Sequence, residues 1–297
     1  MATMNMKARA PAVPLTARAA RAVRAVRAAR CAGRALALLG ALTTGAAAAA
    51  TDVAAMLQAA DRYRSGSATE NLQVETQVTV LNRDGSTDKE RRYTVFVQAG
   101  HKSLVLMRSP AEAGQKVLML GDDFWLLLPG SQRPVRITPT QKLLGDASTG
   151  DIATLSWASD YTGTVVGEER CPPAAGPGSA GGAGGGSTAA GPAVPCLHLS
   201  LQAARKGLSY ARIELWLGAK RHEPLRAELY VQSDKLAKLA TFVLEPGPLP
   251  ARVDEMVLAD RLASRKETRV RYLSRQARQV PETWLNPMFL ARNPSVE

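Results

Sequence analysis

The chain is poor in the residues that usually carry chemistry. Its three histidines, His101, His198 and His222, lie far apart, with no cysteine or carboxylate nearby at metal-ligand spacing. His198 alternates with leucines in Cys196-Leu197-His198-Leu199 and reads as a solvent-facing strand residue rather than a ligand. There is no Gly-x-Ser-x-Gly elbow and no His-Glu-x-x-His, and the glycines at 181–186 lack the lysine and helix of a phosphate-cradling loop. Asp122-Asp123 is a carboxylate pair, but it falls in a turn, where Asp serves local hydrogen bonding. We therefore read no catalytic residue, no metal site and no cofactor. A spanning helix is also missing, because it needs about 20 strongly apolar residues and the longest such block, Ala35–Leu42, is short and alanine-rich.

Acidic residues are absent from the first fifty positions. Those positions carry Lys7, Arg9, Arg18, Arg21, Arg24, Arg27, Arg30 and Arg34, then the apolar block, then the run Ala46–Ala50. A positive flank, a short apolar core and a small-residue exit make a secretory signal peptide over 1–50. An Arg-rich mitochondrial transit peptide is the competing reading. The whole chain is +12, but removal of those eight basic residues leaves 30 basic against 26 acidic side chains, near +4. A nucleic-acid footprint must sit on the folded domain, so charge gives no reason to expect a nucleic-acid partner.

Only three cysteines occur. Cys31 precedes the apolar block, so it does not fit a lipid-anchored cysteine and leaves with the signal. Cys171 and Cys196 then form an even pair in an oxidising compartment, either joined or as free thiols. The 24 residues between them, Pro172–Pro195, are uncharged and contain eight Gly and five Pro, too little apolar surface to order themselves. The segment reads as a loop insertion, since strand-like sequence resumes directly after it.

What is abundant is strand pattern. One helix opens the mature chain, capped by Asp52 and ended by Gly66, with Val53, Met56, Leu57 and Ala60 on one face. Leu72–Val80 alternates apolar and polar, Asn82–Gly85 turns, and Tyr93–Val97 runs back. Some ten further short strands, separated by turn residues, reach to Leu273. The pattern predicts a mainly β fold with a few helices, an antiparallel sheet curled or closed. Thr140–Gly150 and Asp151–Tyr161 break the rhythm as short helices or ordered loops. Either they fold over the concave face, with Leu143, Leu144, Ile152, Leu155 and Trp157 inward, or they are an ordinary crossover. Phe124-Trp125-Leu126-Leu127-Leu128 is apolar on both faces, so either a second layer covers it or one face lines a cavity.

Several segments carry a resemblance: Gly121–Pro129, Arg133–Ile137, Leu143–Asp151, Asp160-Tyr161, Ala60-Asp61-Arg62-Tyr63-Arg64, Leu106–Pro110 and Val280–Trp284. Together they resemble the outer-membrane lipoprotein-sorting protein family, the LolA-like envelope carriers, from about residue 52 to 285. The resemblance implies an unclosed β-barrel with a helical lid, 51–285 as one domain carrying the 172–195 insertion, and 286–297 as a tail. It implies a periplasmic monomer that binds acyl chains of lipoproteins or lipids, between an inner-membrane exporter and an outer-membrane acceptor. Phe124, Leu126 and Leu128 become cavity wall, Leu143, Leu144, Ile152, Leu155 and Trp157 become lid, and Arg133 and Arg136 meet a headgroup or the lid. The alternative is a non-enzymatic module that docks on an exporter or an outer-membrane assembly.

Overall fold

The computed structural model describes residues 44–65, 71–144, 147–153, 156–174, 192–262 and 266–292. Residues 45–297 belong to one compact unit. It opens with helix α1 (Thr44–Ser65), whose face at Val53, Met56, Leu57 and Ala60 is buried, as the i, i+3, i+4, i+7 spacing requires. The helix begins at Thr44 rather than at the expected cap Asp52, because alanine is the best helix former and the run 46–50 extends it backwards. It ends at Ser65.

Thirteen strands form one antiparallel sheet. The first arm is β1 (Leu72–Leu81), β2 (Thr87–Gln98), β3 (Lys102–Met107), β4 (Lys116–Leu120), β5 (Asp123–Leu127) and β6 (Val135–Ile137). A small ribbon of β7 (Lys142–Leu144) and β8 (Ala147–Ser148), then helix α2 (Thr149–Ala153), follows. The second arm is β9 (Tyr161–Cys171), β10 (Val194–Ala203), β11 (Arg212–Gly218), β12 (Pro224–Tyr230), β13 (Leu236–Leu244), β14 (Val253–Asp260) and β15 (Glu267–Ala277). Spatial order runs β6 to β1, then β15 back to β9. The ends of the meander therefore pair in the middle, Val78 opposite Val270, and its midpoint is split between two edges. β6 and β9 do not pair with each other, so the barrel is unclosed.

The inner face buries one core. On β1 the alternation Leu72, Val74, Thr76, Val78, Val80 is buried while the residues between are half-exposed. These side chains join Tyr93, Val105 and Val117 of the first arm, Leu199, Leu215, Phe242 and Leu258 of the second, and the apolar face of α1. The sheet wraps its own helix, which the right-handed twist of a long antiparallel sheet favours.

The strand that is apolar on both faces is explained by a second layer. Phe124 and Leu126 pack in the inner core, whereas Leu127 and Trp125 belong to an outer cluster with Phe96, Leu104, Leu106 and Leu118. The C-terminal segment covers that cluster with Val280, Leu285 and Leu290. Trp284 meets Phe96 edge-on at 5.6 Å between ring centroids, and Gln98 donates to the Val280 carbonyl at 2.8 Å.

Cys171 and Cys196 are joined in a disulfide, their Cα atoms 5.8 Å apart. It crosses from β9 to β10 at the base of the insertion, of which only 172–174 and 192–195 are described.

Candidate functional site

The connection from β6 to β9 must travel from one sheet edge to the other, and it does so across the concave face. Ala147, Ile152 and Trp157 of this segment are buried in the inner core. Short α2 touches β2 and β3 on one arm and is bonded to β13 on the other, so the segment lies over the interior as a lid. The stretch expected as short helices or ordered loops forms one helical turn plus a two-stranded ribbon.

Three polar anchors hold it. Asp151, on α2, is buried; its carboxylate accepts from the Ser148 amide at 2.7 Å, the Ser148 hydroxyl at 2.8 Å and the Tyr210 hydroxyl at 2.6 Å, and pairs with Lys238 of β13. Burial alone pushes the acid's pKa up, but Lys238 and these hydrogen bonds outweigh it and hold the group below its ordinary value. The same burial, with Asp151 alongside, raises the Tyr210 hydroxyl far above its usual range, so it remains a donor.

Asp61 of α1 grips the other end. It accepts from the Trp157 amide at 2.7 Å, the Ala158 amide at 2.8 Å and the Ser156 hydroxyl at 2.9 Å, with Arg64 at 3.8 Å. Here burial prevails over Arg64 and the hydrogen bonds, and the pKa lies above the ordinary value. Arg64 lies over the Trp157 ring at 4.2 Å, and Trp157 meets Phe242 edge-on at 5.6 Å.

The third anchor clasps the seam. Arg205, between β10 and β11, donates to Asp160 at 2.9 Å and pairs with Asp122 in the β4–β5 turn. His101, in the β2–β3 turn, stands 3.1 Å from the same Asp160 oxygen. Gly207 lets the arms touch: a Cβ there would fall 2.8 Å from the Asp122 Cβ, and its φ of +79° suits glycine.

Between lid and sheet remains a cavity of about 60 Å³, lined among others by Arg64, Asp151, Trp157, Tyr161, Tyr210, Leu229, Ala240, Phe242 and Met256. Ligand pockets run to roughly 300–1,000 Å³, so this space is well below the usual size of a ligand site.

The structure brings Ile152, Trp157 and Phe124 into one buried core, with Leu126 half-buried beside them; Trp157 also lines the cavity. Leu128 lies past the end of β5 and is 47% exposed. The side chains of Leu143 and Leu144, and all of Leu155, lie outside the described residues. Arg133 is exposed; Arg136, also exposed, pairs with Asp123 and sits 5.6 Å from the Trp125 ring, on the outer side of the sheet. Sequence reasoning missed the anchors. The one local signal was Lys238, a charge in the inward phase of a strand whose next inward residues are Ala240 and Phe242.

His198, expected to face solvent, lies between Glu169 at 3.1 Å and Glu214 at 2.8 Å and stacks on Trp216. Among the described residues no cluster of three His, Cys, Asp or Glu has the arrangement of a metal site.

A family model whose description is that of an uncharacterized protein matches residues 99–292, about two thirds of the chain. The chain belongs to that family. Its fold is that of the LolA superfamily. A LolA superfamily protein from Nitrosomonas europaea superposes with a TM-score of 0.64 at 23% identity, over 78% of this chain and 96% of that one. A DUF1329 family protein from Desulfovibrio piger gives 0.58 at 19% identity, over 80% and 97%. An outer membrane lipoprotein-sorting protein domain from Vibrio parahaemolyticus gives 0.56 at 17% identity, over 80% and 98%. No curated protein sequence matches the chain. The LolA-like architecture implied by the motifs at 121–161 is therefore the observed one.

Proposed function

We propose that this LolA-like chain is a non-enzymatic periplasmic carrier, exported by a cleaved leader over 1–50. Its domain, expected over 51–285 with the 172–195 insertion but extended by the segment 286–292 that buries Leu290, takes acyl chains of lipoproteins or lipids and shuttles them towards the outer membrane. The observation that carries this reading is a lid of apolar side chains, Ile152 and Trp157, held over an apolar concave sheet by non-covalent polar anchors. The physical need is large: each exposed CH₂ costs about 0.8 kcal/mol in water, so a 16-carbon chain carries on the order of 10 kcal/mol. An acyl chain that displaces the lid side chains exchanges one apolar contact for another, and no covalent step is required. The carrier works as a monomer between an inner-membrane exporter and an outer-membrane acceptor, with no cofactor and no nucleic acid.

The packed interior favours a second reading, in which the domain is an interaction module that docks on an envelope exporter without cargo. Native mass spectrometry separates the two. The full chain is expressed, and the protein is purified from the envelope fraction without detergent. Retained lipid or acylated peptide, lost in a still-folded Trp157→Asp variant, supports the carrier and names its cargo. A cargo-free mass that stays unchanged on incubation with lipids refutes it in favour of the module.

A further inference from the structure

The last turns of α1 have two working sides. Asp61 and Arg64 hold the lid, whereas Ala59, Arg62 and Tyr63, at i, i+3 and i+4, line an open groove of about 390 Å³. Arg221 in the β11–β12 turn and Leu249 and Pro250 in the β13–β14 loop complete it. Its volume falls within the range of ligand pockets, unlike the cavity beneath the lid.

Charge and shape point to one kind of occupant. The charged side chains of the lining are both arginines, and neither pairs with a carboxylate among the described residues. Arg221 is held by neutral acceptors: it donates to the Tyr63 hydroxyl at 3.2 Å and to the Pro250 carbonyl at 2.6 Å. Those contacts fix the guanidinium without neutralising it, and its fork matches phosphate oxygens. Glu245, at the base of the loop, is engaged by Arg252 and the Ala251 amide. The lip of the groove is apolar. Leu249 is 76% exposed, within the run Pro246-Gly247-Pro248-Leu249-Pro250. Proline fixes φ, so the loop presents the leucine at little entropic cost. A protruding apolar side chain beside phosphate-binding cations is the pairing that seats a protein in a lipid interface. We propose that this corner of the protein docks on the surface of an anionic phospholipid bilayer. A headgroup phosphate lies in the groove against Arg62 and Arg221, and Leu249 dips to the acyl boundary. Docking there sets the turn of α1 that holds the lid against the membrane. It requires nothing of the cavity, so it stands or falls separately from the carrier reading.

The test is co-sedimentation of the full-chain product, purified from the envelope fraction, with vesicles of phosphatidylcholine alone and of phosphatidylcholine mixed with phosphatidylglycerol. Binding to the mixed vesicles should be about tenfold or more tighter, the scale of two basic side chains at an anionic surface. Arg62→Gln, at an exposed position, should weaken it about fivefold, or about 1 kcal/mol. Adding Arg221→Gln should remove most of the preference. Leu249→Ser should weaken binding to both kinds of vesicle. Arg83→Gln, exposed in the β1–β2 turn and outside the groove, should leave the preference in place. If Arg221→Gln fails to fold, Arg62→Gln and Leu249→Ser decide the matter. Equal binding to the two kinds of vesicle, or equal losses from Arg62→Gln and Arg83→Gln, overturns the site. So does failure to bind either vesicle, including the case in which inorganic phosphate or an acidic peptide binds by itself: the occupant is then a free oxyanion or a protein.

Discussion

Replacing Asp61 with alanine should unlatch the far end of the lid. The carboxylate is the acceptor for the Trp157 and Ala158 amides and the Ser156 hydroxyl, at 2.7 to 2.9 Å. Alanine orphans two backbone donors, and each buried unsatisfied donor costs about 1–3 kcal/mol. The half-buried Ser156 hydroxyl can turn to water. Against this, the carboxylate is costly to keep: burial raises its pKa above 3.8 despite Arg64 and the hydrogen bonds, so its removal returns part of the loss. The balance is a destabilisation of about 2–4 kcal/mol, or a fall in Tm of roughly 4–16 °C for a domain of this size. Urea unfolding reads the first quantity, and hydrogen exchange at the Trp157 and Ala158 amides reads the lid directly. Asp61→Asn, which keeps one carbonyl acceptor, should lose about half as much. The pH dependence has a definite sign. The folded state holds the Asp61 proton more tightly than the unfolded chain does, so this group's contribution is fully present below pH 3.8 and is lost as pH rises through the folded value. Asparagine removes that slope. A loss under about 1 kcal/mol, with unchanged exchange at both amides, would refute the reasoning.

Three further outcomes are expected. Reduction of Cys171–Cys196, or the double serine variant, should cost about 3.5 kcal/mol from chain entropy across a separation of 25 residues, read by urea unfolding with and without reductant. Asp151 carries the opposite pH sign to Asp61: its lowered pKa contributes stability above the ordinary 3.8 that is lost as pH falls through the folded value, so acid titration of hydrogen exchange over residues 147–153 should show the lid anchor releasing, and Asp151→Asn should flatten that response. Leu290→Ala, at a fully buried position under the outer layer, should cost about 2–5 kcal/mol and raise binding of an apolar dye as Trp125 and Leu127 are uncovered.

Period-two alternation at Leu72–Val80, the Asn82–Gly85 turn, the apolar stripe Val53–Ala60 of α1 and the cysteine pair at the rim of a glycine-rich loop were all readable directly. Each is a property of neighbouring residues, and a strand or helix answers to its own periodicity. The start of α1 was misjudged, because a polar cap residue was weighed above an alanine run. The apolar strand at 124–128 announced that both its faces needed cover, yet its outer cover comes from Val280–Leu290, about 160 residues further on.

The anchors of the lid were out of reach for the same reason. Asp151 and Lys238 are 87 residues apart, and Asp61 and Trp157 are 96. Arg205 meets Asp122 because the two arms of the meander curl until their turns touch. By itself the chain determined that it forms a long antiparallel sheet with an amphipathic helix and an interrupted middle, because composition and period are local. Where that sheet's edges stop short of closing, what bridges them and which charges are buried beneath the bridge were decided only by the tertiary structure. Those contacts depend on accumulated twist over thirteen strands, and no window of sequence contains it.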